Sequence, residues 1–180
     1  YVVEVCVAPS IAPAPASVCA LSTGNTASGP AGASTYAWAI ANGTITSGGS
    51  SQTVTYTAGA SGNVTLTLTV TSASSCTAST SVNVPINALP ATPTITGVPA
   101  GGVCASSTGN TASGPAGATT YAWSITGGTI TSATNLQTVT YTAGSSGSVS
   151  LTLVVTNASG CSASNSTTAA INANPATPAI

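Results

Sequence analysis

The sequence is almost free of charge. Its 180 residues contain no Lys, Arg or His, and a single acidic side chain, Glu4. General acid–base catalysis needs a His, a carboxylate or a Lys, and a serine nucleophile needs a base to activate it. Calcium sites need several carboxylates, and phosphate neutralisation needs cationic side chains. The composition therefore predicts no enzyme, no metal or other cofactor and no nucleic-acid partner.

Long apolar runs are absent as well. A helix needs about 20 consecutive apolar residues to span a bilayer, whereas the strongest apolar segment here, residues 64–70, alternates with Thr. We therefore expect no membrane insertion in this segment. The chain begins at Tyr1 rather than Met, and we expect a processed protein or a part of a longer one.

Hydrophobic residues and turn formers are abundant. Hydrophobic residues make up 42% of the chain, and its mean hydropathy is +0.43. Disorder usually requires low hydrophobicity with high net charge, so we expect a folded chain. Thr, Ser, Val, Ala and Gly dominate, which is typical of strands joined by tight turns.

Alternating apolar residues mark one central strand in each half of the chain. In residues 34–43, Tyr36, Trp38 and Ile40 alternate with small residues, which is the period of a strand with one buried face. Residues 119–128 repeat this run 85 positions later. An indole buries a large apolar area, so each half is predicted to build its core around its single Trp. The predicted core residues are Tyr36, Trp38, Tyr121 and Trp123.

The two halves are copies of one unit. Residues 18–90 align with residues 103–175 without a gap, and 51 of the 73 positions are identical. Such self-similarity indicates a tandem repeat. The predicted divisions are an N-terminal strand and lead-in (1–15), a first repeat (16–89), a second repeat (90–174), and the start of a further repeat or a docking strand (175–180).

Each repeat has the pattern of short strands separated by turns. In the first repeat the predicted strands are residues 18–28, the Trp strand, 43–47, 52–58, 64–70 and 81–88, with a further strand at residues 1–7. Gly and Pro clusters separate them. About seven strands in 85 residues predict an immunoglobulin-like sandwich. We therefore predict an all-β protein of two tandem sandwiches joined by short Pro-rich linkers.

The order of the motifs resembles the PKD-like family. Tyr36-Ala-Trp38 and a turn precede Gly43-Thr-Ile-Thr46, Gln52-Thr-Val-Thr-Tyr56 and Gly62-x-Val-x-Leu-Thr-Leu-x-Val-Thr-x-Ala-Ser-x-Cys76. The resemblance implies immunoglobulin-type sandwiches of large bacterial secreted or surface proteins, and hence an extracellular or cell-surface location. The family's Trp-x-Phe-Gly-Asp-Gly run reads Trp38-Ala-Ile-Ala-Asn-Gly43 here. Because its Asp is missing, we expect no cation-linked role.

Five cysteines suggest a disulfide framework. Cys19 and Cys76 are 57 residues apart, and so are Cys104 and Cys161. In a secreted-looking chain this interval favours one disulfide within each repeat. A staggered scheme also stays open, with Cys6–Cys19, Cys76–Cys104 and Cys161 left for a further unit, and so do buried free thiols. In the favoured scheme Cys6 is unpaired and is the candidate for a bond to another chain.

Polar side chains offer weaker signals. Four Asn-x-Ser/Thr sequons, at Asn42, Asn63, Asn157 and Asn165, are candidates for glycosylation, although chance matches are expected in so Ser/Thr-rich a chain. Thr at alternate positions of residues 65–71 is compatible with contact to ice or glycans. Thr is also a good strand former, which we favour. The tyrosines are likewise interpreted as core residues rather than as a sugar-binding platform.

The favoured functional hypothesis is a non-enzymatic extracellular structural protein that forms a stalk or filament on a microbial surface. Near-zero charge favours association, and Pro-rich linkers are semi-rigid spacers. Residues 1–7 or 173–180 could add as a strand to a neighbour's sheet, which makes copies of itself or further repeats the expected partners. The alternative is an adhesin or carbohydrate-binding accessory module of a larger secreted protein, with surface glycans as partners.

Overall fold

The computed structural model of the chain describes residues 6–14 and 16–176. The chain divides into two compact units between Ala88 and Leu89. All regular secondary structure in the described part is β-strand. Most of the predicted strand at residues 1–7 lies outside the described residues, and Cys6 and Val7 are not in a strand. Residues 177–180 of the predicted terminal segment also lie outside them.

The first unit consists of two four-stranded sheets. Its strands are β1 (Ala12–Ala14), β2 (Val18–Cys19), β3 (Asn25–Ser28), β4 (Thr35–Ala41), β5 (Gly43–Ser47), β6 (Thr53–Ala58), β7 (Asn63–Thr71) and β8 (Thr77–Asn87). One sheet has the order β1-β3-β6-β5 and the other β2-β8-β7-β4. β2 runs parallel to β8, and the remaining pairs are antiparallel. The predicted all-β fold with immunoglobulin-like sandwiches is confirmed.

The second unit repeats this plan with one strand fewer. Its strands are β9 (Val103–Cys104), β10 (Asn110–Ser113), β11 (Thr120–Thr126), β12 (Gly128–Ile130), β13 (Thr138–Ala143), β14 (Ser148–Thr156) and β15 (Ser162–Asn172). The sheets have the orders β10-β13-β12 and β11-β14-β15-β9.

The missing strand is the counterpart of β1. At this place Thr96 makes a single antiparallel bridge to Ser113. The next residue is Gly97, at the position of Ala12, and its φ of +83° takes the chain out of the extended conformation. β10 is therefore an edge strand, whereas its counterpart β3 is covered by β1.

The strict alternation in β7 has a direct structural cause. Val64, Leu66 and Leu68 point into the core, where each is fully buried. Burial of side chains of this size contributes about 1.5–3 kcal/mol each. On the opposite face the hydroxyl of Thr65 donates to Asn83 Oδ1 at 2.8 Å, and the hydroxyls of Thr67 and its cross-strand neighbour in β8 are 2.7 Å apart.

The Trp strand β4 lies against β7, with Trp38 directly opposite Leu68. The indole is 8% exposed, and its Nε1–H donates to the carbonyl of Ser51 at 2.9 Å. In the second unit Trp123 makes the same bond to Leu136. The residues that supply this carbonyl differ between the repeats, but the bond uses only the backbone, so the loop can vary without loss of the contact.

Two strand boundaries differ from the predicted ones. The predicted strand of residues 18–28 is two strands, β2 and β3, because the chain turns at Leu21, which has a φ of +58°. β8 begins at Thr77 rather than at Ser81. Its first residues carry few apolar side chains and face β7 through Ser, Thr and Ala, so alternation of hydrophobicity could not reveal them.

Asn42 links two turns of the first unit. It has a φ of +56°, and its Nδ2 donates to the carbonyls of Ser61 at 2.6 Å and Asn63 at 3.0 Å. The second unit has Gly127 at this position, with a φ of +72°. A Cβ at Gly127 would clash with the carbonyl oxygen of Ser148. The two repeats thus satisfy the same left-handed turn in different ways.

Two tyrosines lie fully inside the cores. Tyr56 and Tyr141 have no exposed surface, and within the described residues neither hydroxyl has a hydrogen-bond partner. Tyr36, in contrast, donates its hydroxyl to the carbonyl of Pro30 at 2.8 Å. Burial raises the pKa of Tyr56 and of Tyr141.

The two kinds of tyrosine predict opposite effects of the same substitution. Tyr56→Phe removes a buried hydroxyl that has no partner, so it should raise the free energy of unfolding by about 1 kcal/mol. Tyr36→Phe removes a hydrogen bond and should lower it by about 1 kcal/mol. Chemical denaturation of both variants measures the difference. Equal losses in the two variants would contradict the assignment.

The buried tyrosines also predict the response to alkali. Below the ordinary tyrosine pKa of 10.0 both side chains keep their protons in the folded and unfolded chain, so the stability is fully present. Above it the unfolded chain releases these protons while the folded chain retains them, so the free energy of unfolding falls as the pH rises. Denaturant melts at increasing pH measure this slope. The double variant Tyr56→Phe, Tyr141→Phe should reduce it, and an unchanged slope would refute the explanation.

Asn42 predicts a difference between two small changes. Asn42→Asp places a carboxylate where two carbonyl oxygens need a donor, so it should lower the free energy of unfolding by about 1–2 kcal/mol. Asn42→Gly keeps the left-handed turn, as Gly127 does in the second unit, and should cost less. Denaturation at neutral pH compares the two variants. A larger loss for Gly than for Asp would show that the amide bonds matter little.

Candidate functional site

A disulfide joins Cys6 to Cys76, with the two Cα atoms 5.9 Å apart. Cys76 lies in the turn between β7 and β8, where its carbonyl accepts the backbone N–H of Ser72 at 2.9 Å. The bond attaches the N-terminal segment to this end of the unit. In the loop-entropy description a crosslink across 70 residues stabilises the fold by about 4 kcal/mol.

The predicted pairing of Cys19 with Cys76 is therefore not the one in the structure. Cys19 pairs in register with Asn87, at the last residue of β8, whereas Cys76 precedes the first residue of that strand. Ten residues of strand separate the two ends by about 33 Å, and a disulfide requires its Cα atoms to lie within about 7 Å. The staggered scheme with a Cys6–Cys19 bond is excluded by the observed partner of Cys6.

The same geometry excludes the predicted bond between Cys104 and Cys161. Cys104 pairs with Asn172 at the end of β15, and Cys161 precedes the start of that strand. Cys104 is an exposed free thiol, while Cys161 is fully buried. Cys19 and Cys161 are also disulfide-bonded. Cys6, predicted to be free for another chain, is bonded within its own chain, and Cys104 has the free thiol instead.

One sequence signal could have indicated this difference. The position of Cys6 corresponds to position 91 in the second repeat, and that residue is Ala91. The two repeats therefore cannot have the same set of disulfides. The equal 57-residue intervals concealed this asymmetry.

The four predicted sequons occupy different surroundings. Asn63 is exposed at the start of β7, and Asn42 uses its Nδ2 in two hydrogen bonds to carbonyls. Asn165 donates to the carbonyl of Pro93 at 3.0 Å. Asn157 accepts the backbone N–H groups of Ser159 and Cys161 through its Oδ1. Glycosylation of these residues stays a prediction, and Asn63 offers the most accessible amide.

The aromatic side chains lie mainly in the two cores. Trp38 and Trp123 belong to the buried clusters, and Tyr36 and Tyr121 pack against them. The hydroxyl of Tyr121 donates to the carbonyl of Pro115 at 2.8 Å, as Tyr36 does to Pro30. In the described part of the chain these rings support the sandwich and do not form a flat platform for sugar stacking.

The outward faces of the sheets consist of small uncharged side chains. On the β4-β7-β8 face of the first unit, Ala from β4 lies beside Thr from β7 and Ser or Asn from β8. The second unit has a similar face, with the hydroxyls of Thr152 and Ser166 2.8 Å apart. Many of these hydroxyls bond one another across the strands, which supports the interpretation of Thr as a strand former.

Reactive groups do not converge in the described residues. Within 6–14 and 16–176 no three His, Cys, Asp or Glu side chains come together as a metal site would require. The same part of the chain contains no helix long and apolar enough to cross a membrane.

The PKD-like domain family matches the chain twice, at residues 6–86 and 89–171. No curated protein matches it.

Solved structures show distant likeness. The fibronectin(III)-like modules of Clostridium thermocellum CbhA are 11% identical, with a TM-score of 0.44 over 91% of this chain and 95% of that one. The Yersinia pseudotuberculosis adhesin InvE is 15% identical, with a TM-score of 0.34 over 91% of this chain and 58% of that one. Bacteroides ovatus SGBP-B, in complex with a mixed-linkage heptasaccharide, is 15% identical, with a TM-score of 0.32 over 94% and 48%. The chain thus spans about half the length of several structures that it matches.

The two family matches cover both compact units almost from end to end, and both units contain the Trp strand and its Val/Leu/Thr partner. The chain belongs to the PKD-like domain family, with two such domains in tandem.

Proposed function

We propose that the chain is a non-enzymatic, extracellular structural repeat protein that forms a stalk or filament on a microbial surface. The observation that carries the proposal is the tandem arrangement of two PKD-like sandwiches that contain disulfides. Disulfides of this kind persist in oxidising surroundings outside the cytosol. Repeats of one unit make a chain of defined length in which each unit retains its own core.

The surface chemistry supports assembly. With one acidic side chain and no cationic one, the chain has almost no charge to keep copies apart. Its sheet faces present Ala, Ser and Thr, which allow close approach of another surface without burial of an unpaired charge. These properties favour a polymer over a dispersed soluble protein.

The edge of β10 is the best acceptor for a strand from a neighbouring copy. Ser113 exchanges two backbone hydrogen bonds with Thr96, both 2.9 Å long. Backbone groups alternate in direction along a strand, so those of Thr111 face the same side. Within the described residues no strand pairs with β10 there. A neighbour's strand can extend this sheet by main-chain hydrogen bonds.

The donor would be a terminal segment of the neighbouring copy. The disulfide of Cys6 holds Cys6 and Val7 to their own unit, which leaves residues 1–5 and 173–180 as candidates. Such a contact joins unlike surfaces, so it generates an open filament when the rotation between copies does not close a ring.

Assembly of the purified chain tests the proposal. Sedimentation and electron microscopy at increasing protein concentration should show polymers in non-reducing buffer. Thr111→Pro removes the outward N–H of the edge, so it should suppress polymerisation while the unfolding free energy of the monomer changes by no more than about 1 kcal/mol. Thr111→Ala, which keeps the N–H, should assemble like the parent chain.

Two outcomes contradict parts of this proposal. Polymers of Thr111→Pro equal to those of Thr111→Ala would reject the β10 edge as the acceptor. A parent chain that stays monomeric at every concentration would reject self-assembly itself.

A further inference from the structure

Cys104 lies on a surface that is built like a disulfide site of the other repeat. Its thiol is free and exposed. The residue pairs in register with Asn172, and the next backbone N–H, of Ala105, donates to the Asn172 carbonyl at 2.8 Å. Ser106 follows with a φ of +56° and donates its N–H to Gly144.

Cys19 occupies the same place in the first repeat. It pairs in register with Asn87, and the N–H of Ala20 donates to the Asn87 carbonyl at 2.9 Å. Leu21 has a φ of +58°, and its N–H donates to Gly59. Cys19 is disulfide-bonded. The same backbone framework therefore holds an oxidised cysteine in one repeat and a free one in the other.

The second cysteine position of each repeat precedes the last strand. Cys76 and Cys161 occupy it, and both are disulfide-bonded. Cys76 has as its partner Cys6, which precedes every strand of its unit. Each repeat thus supplies one cysteine of each kind, and Cys6 is an additional one. Among the five cysteines only Cys104 is free.

We propose that Cys104 forms a disulfide with a cysteine at the Cys76 position of another PKD-like unit. This inference rests on the proposed function, since it supplies a covalent link between successive units of a stalk or filament. The partner unit belongs either to a second copy of this chain or to a further repeat. The chemistry is the same in both cases.

Bond formation needs an oxidant, and a small-molecule disulfide is sufficient. The Cys104 thiolate attacks one sulfur of that disulfide, which forms a mixed disulfide and releases one small thiolate. The partner thiolate then attacks the Cys104 sulfur and releases the second small thiolate. Two protein thiols lose two protons and two electrons in total, and the small disulfide is reduced to two thiols.

The reaction can be tested between two forms of the chain. The parent chain supplies Cys104, and an isotope-labelled Cys6→Ser, Cys104→Ser variant supplies a free Cys76. In buffer with oxidised glutathione the two should form a mixed dimer that disappears on reduction. Because the chain has no Lys or Arg for trypsin, chymotryptic peptides should identify the Cys104–Cys76 link. Cys104→Ser in place of the parent should reduce the yield by at least about tenfold.

Three results would overturn the inference. They are equal dimer yields with Cys104→Ser, a dominant Cys104–Cys104 dimer, and modification of Cys104 by glutathione alone when the labelled variant is folded. If that variant does not fold, native material decides the question, after alkylation of free thiols before reduction. Alkylated Cys104 would refute the link. A Cys104 peptide joined to the Cys76 peptide would indicate a second copy, and one joined to the equivalent cysteine in a sequence outside these 180 residues would indicate a further repeat.

Failure of this inference is distinguishable from failure of the proposed function. Polymers of Cys104→Ser equal to those of the parent, together with a free Cys104 in native material, would reject the covalent link and leave the filament proposal intact. A Cys104 disulfide in a chain that does not assemble would do the reverse.

Discussion

The pairing of the Trp strand with the Val/Leu/Thr strand is the interaction on which each unit depends. Trp38 lies opposite Leu68 in β7, and Trp123 lies opposite Leu153 in β14. With a single charged side chain in the sequence, ion pairs cannot specify which strands meet. Burial of these side chains and the ladder of backbone hydrogen bonds must supply that specificity. A slip of one residue in this pair would expose every buried side chain of the strand, so the alternating pattern also fixes the register.

The strands with strong alternation could be predicted from the sequence because burial itself produces their pattern. β7 and β6 carry an apolar side chain at alternate positions, so both were recognisable. The first part of β8 was not, since its buried side is satisfied by small residues against β7. β1 could not be recognised either, because Ala-Pro-Ala has no such period and the strand exists through its pairing with β3.

The disulfides show the limit of sequence spacing more sharply. An interval of 57 residues repeats in both halves, but spacing along the chain does not say which ends of a sheet two residues occupy. The parallel pairing of β2 with the far end of β8 places Cys19 away from Cys76. That pairing depends on only two residues, Val18 and Cys19, and such a short strand has no detectable period. The candidate site at Cys104 could therefore be found only after the topology was known.

A surface without charge makes the edges of the sheets decisive. Many natural β proteins place charged side chains on edge strands to prevent association, and this chain has none in its strands. Where β1 covers β3, the edge is protected by pairing alone. At β10 the glycine at position 97 ends that protection after one bridge, because its φ of +83° turns the chain away. The difference between Ala12 and Gly97 thus changes a closed edge into an open one, although the strand beneath it, Asn-Thr-Ala-Ser, is identical in the two repeats. Association of such a chain is governed by which edges its own backbone covers, and the two nearly identical repeats differ at that point.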